Sequence, residues 1–474
     1  MNNIFQREKD IKDYYKKKFK QKIFYLKFYN YFYNYLSTVL NSLIIESKNF
    51  LYIGTAQYPF LQKLNFKKIS VLEVSEDYLN KLKEIKGDSS ISELKNEKNL
   101  DGINYDKILI TSLEYEKDPL FFLKEIRKLI SQDGRLFILK YNLWWVLILK
   151  ILGLFKLRLK RPYQNVISVN FLKNICEHSN FEIVHREDQI LLPINIPIIS
   201  FIVNKIIAKI PIIKFFCFIN IFVLRPVLER DNLDNYKISI IVPCKNEERN
   251  IQKIVESIPK VGKKIQILFG DDKSEDKTLH EIKKFLTKSE KLEIDYYNAP
   301  GICKSENIFM GFDKAEGDII AILDADNTVR GRELTEFFQL LVSRKYDFIN
   351  GTRFVYPMST NAMHKFNYIG NIILSHLFSI LLEIKVTDTL CGTKIFFKND
   401  WVKIKKSIRT WGVIDKWGDY DLLLGAKKNF LKITEKPVFY SERIYGETKM
   451  KNIFINGARM FYIIIYSFFK FKKI

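Results

Sequence analysis

The stretch GDIIAILDADNT, residues 317–328, places two aspartates directly after a run of apolar residues. The apolar run predicts a strand that is buried on both faces. Asp324 and Asp326 are two positions apart, a spacing that points both side chains to the same side of an extended chain. Like charges so close repel each other, and a hard divalent cation with oxygen ligands relieves the repulsion. We therefore expect Asp324 and Asp326 to bind Mg²⁺ or Mn²⁺.

Similar apolar runs lie on both sides of this stretch and alternate with helical patterns. The strand candidates in this half of the chain are 238–242, 265–269, 292–297, 318–323 and 347–350. Strands that alternate with helices predict an α/β fold, in which a parallel sheet is covered on both faces. Ligands of such sheets bind beyond the carboxyl ends of the strands. The polar turns at those ends are therefore the candidate site.

Two of these turns carry polar groups suited to a nucleoside. The segment SIIVPCKNEERNI, residues 239–251, passes from a strand into a polar turn, and the next strand ends in GDDKSEDKT, residues 270–278. Asp271 and Asp272 could accept hydrogen bonds from a nucleobase or a ribose. The alternative is capping of the following helix by Asp272 or Ser274, which contributes about 1 kcal/mol.

The N-terminal half shows the same alternation. Its strand candidates are 50–53, 69–74, 107–111, 134–141, 181–186 and 218–224, and residues 121–130 have the pattern of an amphipathic helix. The polar run ERDNLDNY, residues 229–236, separates the two halves and is typical of a linker. We therefore expect two α/β domains, at residues 1–230 and 236–450.

Composition narrows the class of protein and its partners. The chain has 474 residues, of which 47% are hydrophobic and 28% charged, and this mixture excludes a disordered chain or a disulfide scaffold. A net charge of +23 favours an anionic partner such as nucleic acid, a membrane surface or a phosphorylated substrate. Binding to nucleic acid would need a recognisable module with basic and aromatic residues interleaved. None stands out, so we expect no nucleic acid partner.

Cysteine usage and the first residues indicate the compartment. The five cysteines form no CxxC pair and have no metal-ligand spacing, which is typical of free thiols in a reducing compartment. Residues 1–20 contain no apolar core of a secretory signal. We therefore expect a cytoplasmic protein.

Two apolar stretches are candidates for contact with a membrane, and neither is expected to cross it. Prolines and lysines interrupt residues 190–224, and residues 460–469 fall short of the ~20 that a span needs. Residues 451–474 are basic and aromatic and contain no Asp or Glu. We expect an amphipathic helix at 451–474 that lies peripherally on the inner face of the cytoplasmic membrane. The alternative is a helix packed on the protein's own core.

Motifs in the C-terminal half resemble those of glycosyltransferase family 2 in their order and spacing. They are VPCKNEE, GDDKSEDKT, the lysine of CKSEN, DADN, INGTRFVYPM, DTLCGTK, GDYDLLLGAKK and RIYGETK. The likeness covers about residues 236–450 and is greatest to the branch that contains polyprenyl- and dolichyl-phosphate sugar synthases. It implies a GT-A fold and inverting transfer of a sugar from a nucleoside-diphosphate sugar.

The resemblance also implies roles for single residues. Contacts to the nucleotide sugar are implied for Pro243, Asn246, Glu247, Asp271, Asp272 and Lys304, and metal binding for Asp324 and Asp326. Cations that receive phosphate are implied at Arg353, Arg443 and Lys449, and acid/base candidates at Asp388, Asp419 and Asp421. A phosphate acceptor is already ionised and needs little help from a base, whereas a sugar hydroxyl needs one. The choice among the carboxylates therefore stays open.

Four positions depart from the family pattern, one of which is Thr328 after the aspartate pair, where Gln or another polar ligand is frequent. Lys273 and Lys277 stand where glycine is usual, and Cys303 precedes Lys304 where glycine is common. Residues other than glycine are disfavoured at positive φ. We therefore expect these loops to differ in detail from those of the family.

The N-terminal half resembles class I S-adenosylmethionine-dependent methyltransferases over about residues 15–226, so that the whole chain resembles bacterial fusions of the two domain types. The likeness rests on FLYIGTAQYPF, ISVLEVSEDYL and YDKILITSLEYEKDPLFFLKEIRKLISQDGRLFILKYN. It implies a Rossmann-like domain with Gly54 and Glu73 at the S-adenosylmethionine site. Ala56 and Tyr58 replace glycines that let the backbone approach the cofactor. We therefore expect a degenerate domain that does not bind S-adenosylmethionine tightly.

These features together predict a membrane-associated glycosyltransferase that moves a sugar from a nucleotide donor to polyprenyl phosphate or a related lipid-linked acceptor. In the resembling synthases the region that corresponds to residues 363–384 lies against the membrane and leads the lipid to the site, although a core helix is the alternative here. Two other functions stay open: transfer to a sugar hydroxyl of a cell-surface glycan, and a bifunctional glycosyltransferase and methyltransferase.

Overall fold

The structure is a computed structural model that describes residues 30–44, 47–54, 58–61, 63–64, 66, 68–73, 79–80, 82–84, 91–93, 104–155, 165–210, 212–358, 365–412, 414–443, 445 and 452–472. The chain divides between Leu228 and Glu229 into two compact units. Each unit is built around a sheet of its own.

Among its described residues, the N-terminal unit contains one seven-stranded sheet. The strands are β1 (Phe50–Gly54), β2 (Ile69–Glu73), β3 (Ile91–Glu93), β4 (Tyr105–Ile110), β5 (Ile130–Tyr141), β6 (Phe181–Gln189) and β7 (Ile219–Pro226). Their order is β3-β2-β1-β4-β5-β7-β6. Strands β1 to β5 run parallel, and β7 is antiparallel to both β5 and β6.

The described helices of this unit are α1 (Asn30–Leu43), α2 (Tyr58–Leu61), α3 (Pro119–Leu129), α4 (Leu143–Leu154), α5 (Val169–His178) and α6 (Ile199–Lys205). Helix α3 illustrates how the sequence sets their bounds. The Asp118 side chain accepts a hydrogen bond from the Phe121 N–H, and Pro119 occupies the first helical turn, where a missing N–H costs nothing. Phe122 and Ile126 of this helix lie in the core with the strand residues.

The C-terminal unit contains an eight-stranded sheet of mixed direction among its described residues. Its strands are β8 (Lys237–Cys244), β9 (Lys264–Asp271), β10 (Thr287–Lys288), β11 (Leu292–Asn298), β12 (Ile319–Ile322), β13 (Phe348–Thr352), β14 (Lys394–Phe397) and β15 (Ile433–Pro437). The order is β10-β11-β9-β8-β12-β14-β13-β15. Strands β11, β9, β8 and β12 run parallel, and β14 is antiparallel to β12 and β13.

The described helices of the C-terminal unit are α7 (Ile251–Ser257), α8 (Thr278–Lys284), α9 (Lys304–Lys314), α10 (Leu334–Val342), α11 (Lys365–Leu382), α12 (Lys398–Lys405), α13 (Asp419–Lys428) and α14 (Ile453–Lys472). Two apolar clusters fill this unit, and each contains residues of the central strands. The parallel strands are almost wholly buried, because both faces of the sheet carry apolar side chains.

The mixed α/β architecture with two sheets agrees with the sequence prediction. Each predicted strand has a counterpart, but the expectation of parallel sheets was wrong for β7, β10 and β14, which run antiparallel to their neighbours. The sequence analysis also missed β3, β10, β14 and β15. All four are short and carry charged residues, Glu93 in β3, Lys288 in β10, Lys394 in β14 and Glu435 in β15, so none gives a continuous apolar signal.

Helices α11 and α14 pack together in the C-terminal unit. Met460, Ile463 and Ile464 of α14 share a core with Leu374 and Phe378 of α11. Other apolar side chains of α14 are exposed, among them those of Phe454, Ile455, Phe461, Tyr462, Ile465 and Phe469. Helix α14 therefore contacts the protein's own core with one part of its surface and exposes apolar groups elsewhere. Within the described ranges, no helix is long and apolar enough to cross a membrane.

Candidate active site

The candidate site lies at the edge of the sheet where β9, β8 and β12 end. These strands are neighbours in the order given above, and their carboxyl ends lead into the loops with Asn246, Asp272 and Asp324. Pro243 and Cys244 end β8 and pair with Gly270 and Asp271 of β9. Parallel strands therefore bring together loops that are distant in sequence.

Asp324 forms an ion pair with Lys304, the first residue of α9. Lys304 Nζ lies 2.5 Å from Asp324 Oδ1. Burial opposes both charges, but the attraction between them outweighs it, so that the pKa of Asp324 is lowered and the pKa of Lys304 is raised. Gly392 makes room for this carboxylate, because a Cβ at that position would lie 2.2 Å from Asp324 Oδ2.

Asp326 is held by Thr328 on one side and Arg443 on the other. Its Oδ1 accepts hydrogen bonds from the Thr328 N–H at 3.2 Å and the Thr328 hydroxyl at 2.7 Å. Arg443 Nη2 lies 2.8 Å from Asp326 Oδ2. Thr328, which stands two residues after the aspartate pair, therefore orients Asp326.

A third ion pair, between Lys394 and Asp419, completes the cluster. Lys394 Nζ lies 2.5 Å from Asp419 Oδ1 and donates to the Cys391 carbonyl at the same distance. The charges of Lys394 and Arg443 act on Asp324, and those of Asp419 and Asp326 act on Lys304. Asp324, Asp326 and Asp419 thus form one charge cluster with Lys304, Lys394 and Arg443.

Sequence analysis did not single out Lys394, although it ends the motif DTLCGTK. The signal that could have found it is a lysine directly before the apolar run IFF. Lysine is almost never fully buried unless it is paired, and the Lys394 side chain is 0% exposed.

Asp421 and the unpredicted Asp415 lie at the beginning of α13. Asp415 accepts hydrogen bonds from the N–H groups of Trp417, Tyr420 and Asp421, and burial followed by the charge of Asp419 raises its pKa to about 6. Asp421 accepts from the Arg409 N–H at 3.3 Å. Burial followed by the charge of Asp415 raises the pKa of Asp421 to about 7.

Arg353 and Asp388 form a buried bidentate pair. Arg353 Nε lies 2.6 Å from Asp388 Oδ2, and Nη2 lies 2.8 Å from Oδ1. Asn371 of α11 donates a further hydrogen bond to Asp388 at 2.9 Å. Burial opposes ionisation of Asp388, but the Arg353 guanidinium outweighs it and lowers the pKa of that carboxyl. The pair joins β13, α11 and the loop before β14.

Asn246 and Glu247 tie the loop after β8 to the loop after β9. The Asn246 side chain accepts from the Glu275 N–H at 2.8 Å, and the Glu247 N–H donates to the Thr278 hydroxyl at 2.7 Å. Lys273 adopts φ 58° in this region, so a lysine keeps the left-handed conformation that the sequence analysis reserved for glycine. Cys303 is extended, with φ −166°, and needs no glycine.

The two aspartates at the end of β9 have different surroundings. Asp272 Oδ1 accepts from the Gly301 N–H at 2.9 Å, so its carboxylate braces a neighbouring loop. Asp271 is buried, and within the described part of the chain its Oδ1 has no hydrogen-bond partner. A buried acceptor without a donor carries a free-energy cost of about 1–3 kcal/mol, and a ligand N–H or O–H would remove that cost.

The two predicted metal ligands fit a cation that a substrate helps to hold. Asp324 and Asp326 are each paired with a cationic side chain, and the described residues contain no group of three or more His, Cys, Asp or Glu able to hold a metal by themselves. Mg²⁺ is commonly bound by one or two carboxylates together with substrate phosphates. The donor set therefore suits a shared site. Lys449, the remaining predicted phosphate ligand, lies outside the described residues.

Gly54 and Glu73 end β1 and β2 in the N-terminal unit, next to the point where the strand order reverses. The position beside Gly54 is filled by Tyr52, since a Cβ on Gly54 would lie 1.7 Å from the Tyr52 hydroxyl. Tyr52 is fully buried, and its hydroxyl lies 3.0 Å from Thr111 Oγ1.

Part of the chain is similar to a known family and to several known proteins. Residues 239–403 match the family Glycosyl transferase family 2. A low-salt glycan biosynthesis hexosyltransferase of Haloferax volcanii is 25% identical over 235 residues, which are 47% of this chain and 51% of that protein. A UDP-N-acetylglucosamine–dolichyl-phosphate N-acetylglucosaminyltransferase of Methanococcus voltae is 24% identical over 247 residues, which are 48% of this chain and 94% of that protein.

Among solved structures, glucosyl-3-phosphoglycerate synthase from Mycobacterium tuberculosis in complex with UDP matches 50% of this chain and 81% of its own, with 14% identity and a TM-score of 0.36. The chain spans about half the length of the Haloferax hexosyltransferase, and 34% of a second Haloferax glycosyltransferase. The family match and the curated relatives agree on the class of domain. The C-terminal unit of this chain therefore carries a match to a glycosyltransferase family 2 domain over residues 239–403.

Proposed function

We propose that this protein is an inverting glycosyltransferase that moves a sugar from a nucleoside-diphosphate sugar to polyprenyl phosphate or a related lipid-linked acceptor. The observation that carries the proposal is the charge cluster of Asp324, Asp326 and Asp419 with Lys304, Lys394 and Arg443 at the carboxyl edge of the sheet. Fixed donors and carboxylates at a strand edge are suited to bind a diphosphate and the charge that develops on it.

The nucleoside would lie against Pro243, Asn246, Glu247, Asp271 and Asp272. The hydrogen bonds between the loops after β8 and β9 hold this wall in place, and the buried Asp271 Oδ1 is an acceptor for a base or ribose group. Lys304 and Arg443 are placed to bind the diphosphate next to Asp324 and Asp326. Their present ion pairs keep the carboxylates neutralised, and donor phosphate would share the same cations.

Asp324 and Asp326 would hold Mg²⁺ or Mn²⁺ together with the diphosphate. A bound ion there neutralises negative charge on the departing nucleoside diphosphate. The Thr328 hydrogen bond orients one carboxylate, that of Asp326, and the missing Cβ at Gly392 leaves room for the other, that of Asp324.

A lipid acceptor is favoured by the apolar helices of the same unit. Helix α11 exposes Phe366, Ile369 and Ile373, and its Asn371 binds the Asp388 that holds Arg353. A lipid chain on α11 would thus bring its phosphate towards the ion pair of Arg353 and Asp388. The Methanococcus relative is named for a dolichyl-phosphate acceptor, which agrees with this placement.

A sugar hydroxyl is the second candidate acceptor. The Haloferax relative is named for glycan biosynthesis, and Asp419 lies in the charge cluster, where it could take the proton of a hydroxyl. Asp388 suits that role less well, because its oxygens are engaged by Arg353 and Asn371. A phosphate acceptor would need no such base.

We further propose that the protein lies peripherally on the inner face of the cytoplasmic membrane, and that residues 1–230 form a degenerate methyltransferase-type domain. Exposed apolar residues of α14 together with Lys470 support the attachment, since lysines near an anionic leaflet contribute about 1 kcal/mol each. The buried Tyr52 beside Gly54 supports the loss of S-adenosylmethionine binding. Retained binding would instead favour a bifunctional enzyme.

The acceptor can be identified by offering the purified protein labelled UDP- and GDP-sugars with either polyprenyl phosphate or a non-ionic glycoside. The proposal expects label in the organic phase, in a product that mild acid releases from phosphate. Label found solely on the glycoside would replace the lipid-phosphate acceptor with the hydroxyl acceptor.

A further inference from the structure

The N-terminal unit exposes apolar side chains that the proposed function does not use. They belong to helix α4, to Phe155 directly after it and to the segments 194–210 and 212–216, and together they are called the N-terminal apolar surface. Four of its large side chains are among the most exposed of the unit: Trp144 at 62%, Phe155 at 72%, Ile198 at 76% and Ile212 at 75%. Scattered exposed apolar residues are normal, but a set this dense marks a site of interaction.

Hydrogen bonds join the two parts of the N-terminal apolar surface. The Asn142 side chain caps α4 and also donates to the Phe215 carbonyl at 2.6 Å. The Trp145 indole N–H donates to the Phe216 carbonyl at 2.7 Å, and the rings of Trp144 and Phe216 lie 6.3 Å apart. The surface is therefore one fixed patch, and the hydrogen bonds that connect its two parts come from the YNLWW motif around Asn142.

Helix α4 has the composition of a helix without a polar face. Its sequence, LWWVLILKILGL, contains a single charged residue, and a helix that is apolar all round belongs in a core or in a membrane. Trp144 and Ile151 are nevertheless exposed. At about 1.5 Å per residue the helix is too short to cross ~30 Å of hydrocarbon, but it is long enough to lie in the interface of a bilayer.

The charged residues in the sequence of this surface, and directly after α4, favour an anionic partner. No Asp or Glu occurs from Asn142 to Tyr163 or from Ile190 to Phe216. Directly after α4 the sequence carries Lys156, Arg158, Lys160 and Arg161. In the sequence this basic run directly follows the helix that exposes Trp144 and Ile151, and such a combination is complementary to anionic headgroups above an acyl layer.

We propose that the N-terminal unit binds an anionic lipid bilayer through the N-terminal apolar surface. This attachment is separate from the one proposed for α14 and does not depend on glycosyl transfer. Two weak attachments on one chain reinforce each other, because binding of the first raises the local concentration of the second. The proposal gives the N-terminal unit a role that needs no cofactor.

Tryptophan quenching by vesicles with brominated acyl chains tests insertion of the surface in the full chain. The vesicles contain phosphatidylcholine and phosphatidylglycerol. Trp144 is exposed, whereas Trp401 and Trp411 are buried and should not be quenched. Trp145 belongs to the same surface, so Trp144→Phe combined with Trp145→Phe should still bind vesicles but lose most of the quenching, while Trp417→Phe should keep it. Quenching of this double variant as strong as that of the wild type overturns the proposal.

Vesicle flotation measures how much the surface contributes. Ile151→Ser combined with Ile198→Ser and Phe201→Ser should weaken binding to anionic vesicles at least about tenfold. The control combines Leu286→Ser and Val402→Ser, exposed apolar residues of the other unit, and should bind as the wild type does. Unchanged vesicle binding of the triple variant contradicts the proposal. If that variant loses a dimer, the surface is covered by a second copy of the chain. If its unfolding midpoint is lowered instead, the surface is covered by the chain itself.

Discussion

Arg353 holds Asp388 with two arms of its guanidinium: Nε lies 2.6 Å from Oδ2, and Nη2 lies 2.8 Å from Oδ1. The Asp388 side chain is 0% exposed, and it also accepts from the Arg353 N–H and from Asn371. Removing one partner of a buried pair costs about 3–5 kcal/mol, because it leaves the other charge uncompensated. We therefore expect this pair to fix the end of β13 beside the charge cluster.

The two arginines should respond differently to replacement by lysine. Arg353→Lys should lower both sugar transfer and the free energy of unfolding, since an ammonium cannot reproduce the two-arm contact with Asp388. Arg443 is 30% exposed and forms an ion pair with Asp326 in the cluster, so Arg443→Lys should impair transfer and change stability by less than about 1 kcal/mol. Urea unfolding and turnover are the measurements, with the exposed Arg330→Lys as control. Normal turnover in both variants would show that neither arginine binds phosphate.

Stability should depend on pH through Asp421. Burial raises the pKa of this carboxyl to about 7, whereas in the unfolded chain it titrates near about 3.9. Between those values the folded state holds a proton that the unfolded state releases, so stability falls as the pH rises. Asp421→Asn avoids this loss. The free energy of unfolding of the variant, relative to that of the wild type, should therefore rise by more than about 1 kcal/mol between about pH 5 and pH 8.

Urea unfolding at the two pH values measures this difference. Asp295 is exposed on β11, so Asp295→Asn should show no such change with pH and serves as the control. An equal pH dependence of Asp421→Asn and the wild type would mean that Asp421 is ionised in the folded protein.

The sequence predicted the strands and the polar turns well, because long apolar runs and the turns after them are local signals. It could not predict which distant charges meet. Lys394 and Asp419 are 25 residues apart, and Lys304 and Asp324 come from a helix and a strand end. Those pairs depend on the order of strands in the sheet and on the antiparallel β14, which the alternation of elements does not reveal.

The same limit applies to the N-terminal unit. The loop GTAQY indicated a departure from a cofactor-binding turn, but the sequence analysis did not consider Tyr52, which looks like an ordinary strand residue in FLYIG. Only the structure places its hydroxyl beside Gly54 and Thr111.

The full chain should not bind S-adenosylmethionine at micromolar concentration. The buried Tyr52 fills the space next to Gly54 and packs edge-on against Phe60, with ring centroids 6.2 Å apart. Calorimetry with S-adenosylmethionine should give no heat of binding, while UDP or GDP titrated into the same preparation should give heat and show that the protein is folded. A micromolar dissociation constant for S-adenosylmethionine would restore the bifunctional interpretation.

Membrane attachment through α14 should be lost by surface substitution without loss of the fold. Met460, Ile463 and Ile464 lie in the core, so deletion of the helix would damage the unit. Phe454→Ser with Ile465→Ser and Phe469→Ser changes exposed residues and should lower binding to anionic vesicles at least about tenfold. High salt should weaken binding of the wild type in part.

Fractionation of cells checks the same attachment. More of the α14 triple variant than of the control Leu286→Ser should be found in the soluble fraction. Alkaline carbonate should release the intact protein from membranes. Protein that stays in the pellet and needs detergent for its release would be integral, and the peripheral attachment would be wrong.

The central claim is sugar transfer at the charge cluster, and the most direct measurement compares turnover of the wild type and Asp326→Asn with labelled nucleotide sugar and polyprenyl phosphate. Asp295→Asn is the control for a lost surface charge. The wild type should form labelled lipid with Mg²⁺ or Mn²⁺ and stop in excess EDTA, and Asp326→Asn should be slower by at least about 100-fold, or roughly 2.7 kcal/mol of barrier. Equal turnover of the two proteins, or full activity in EDTA, would contradict the account.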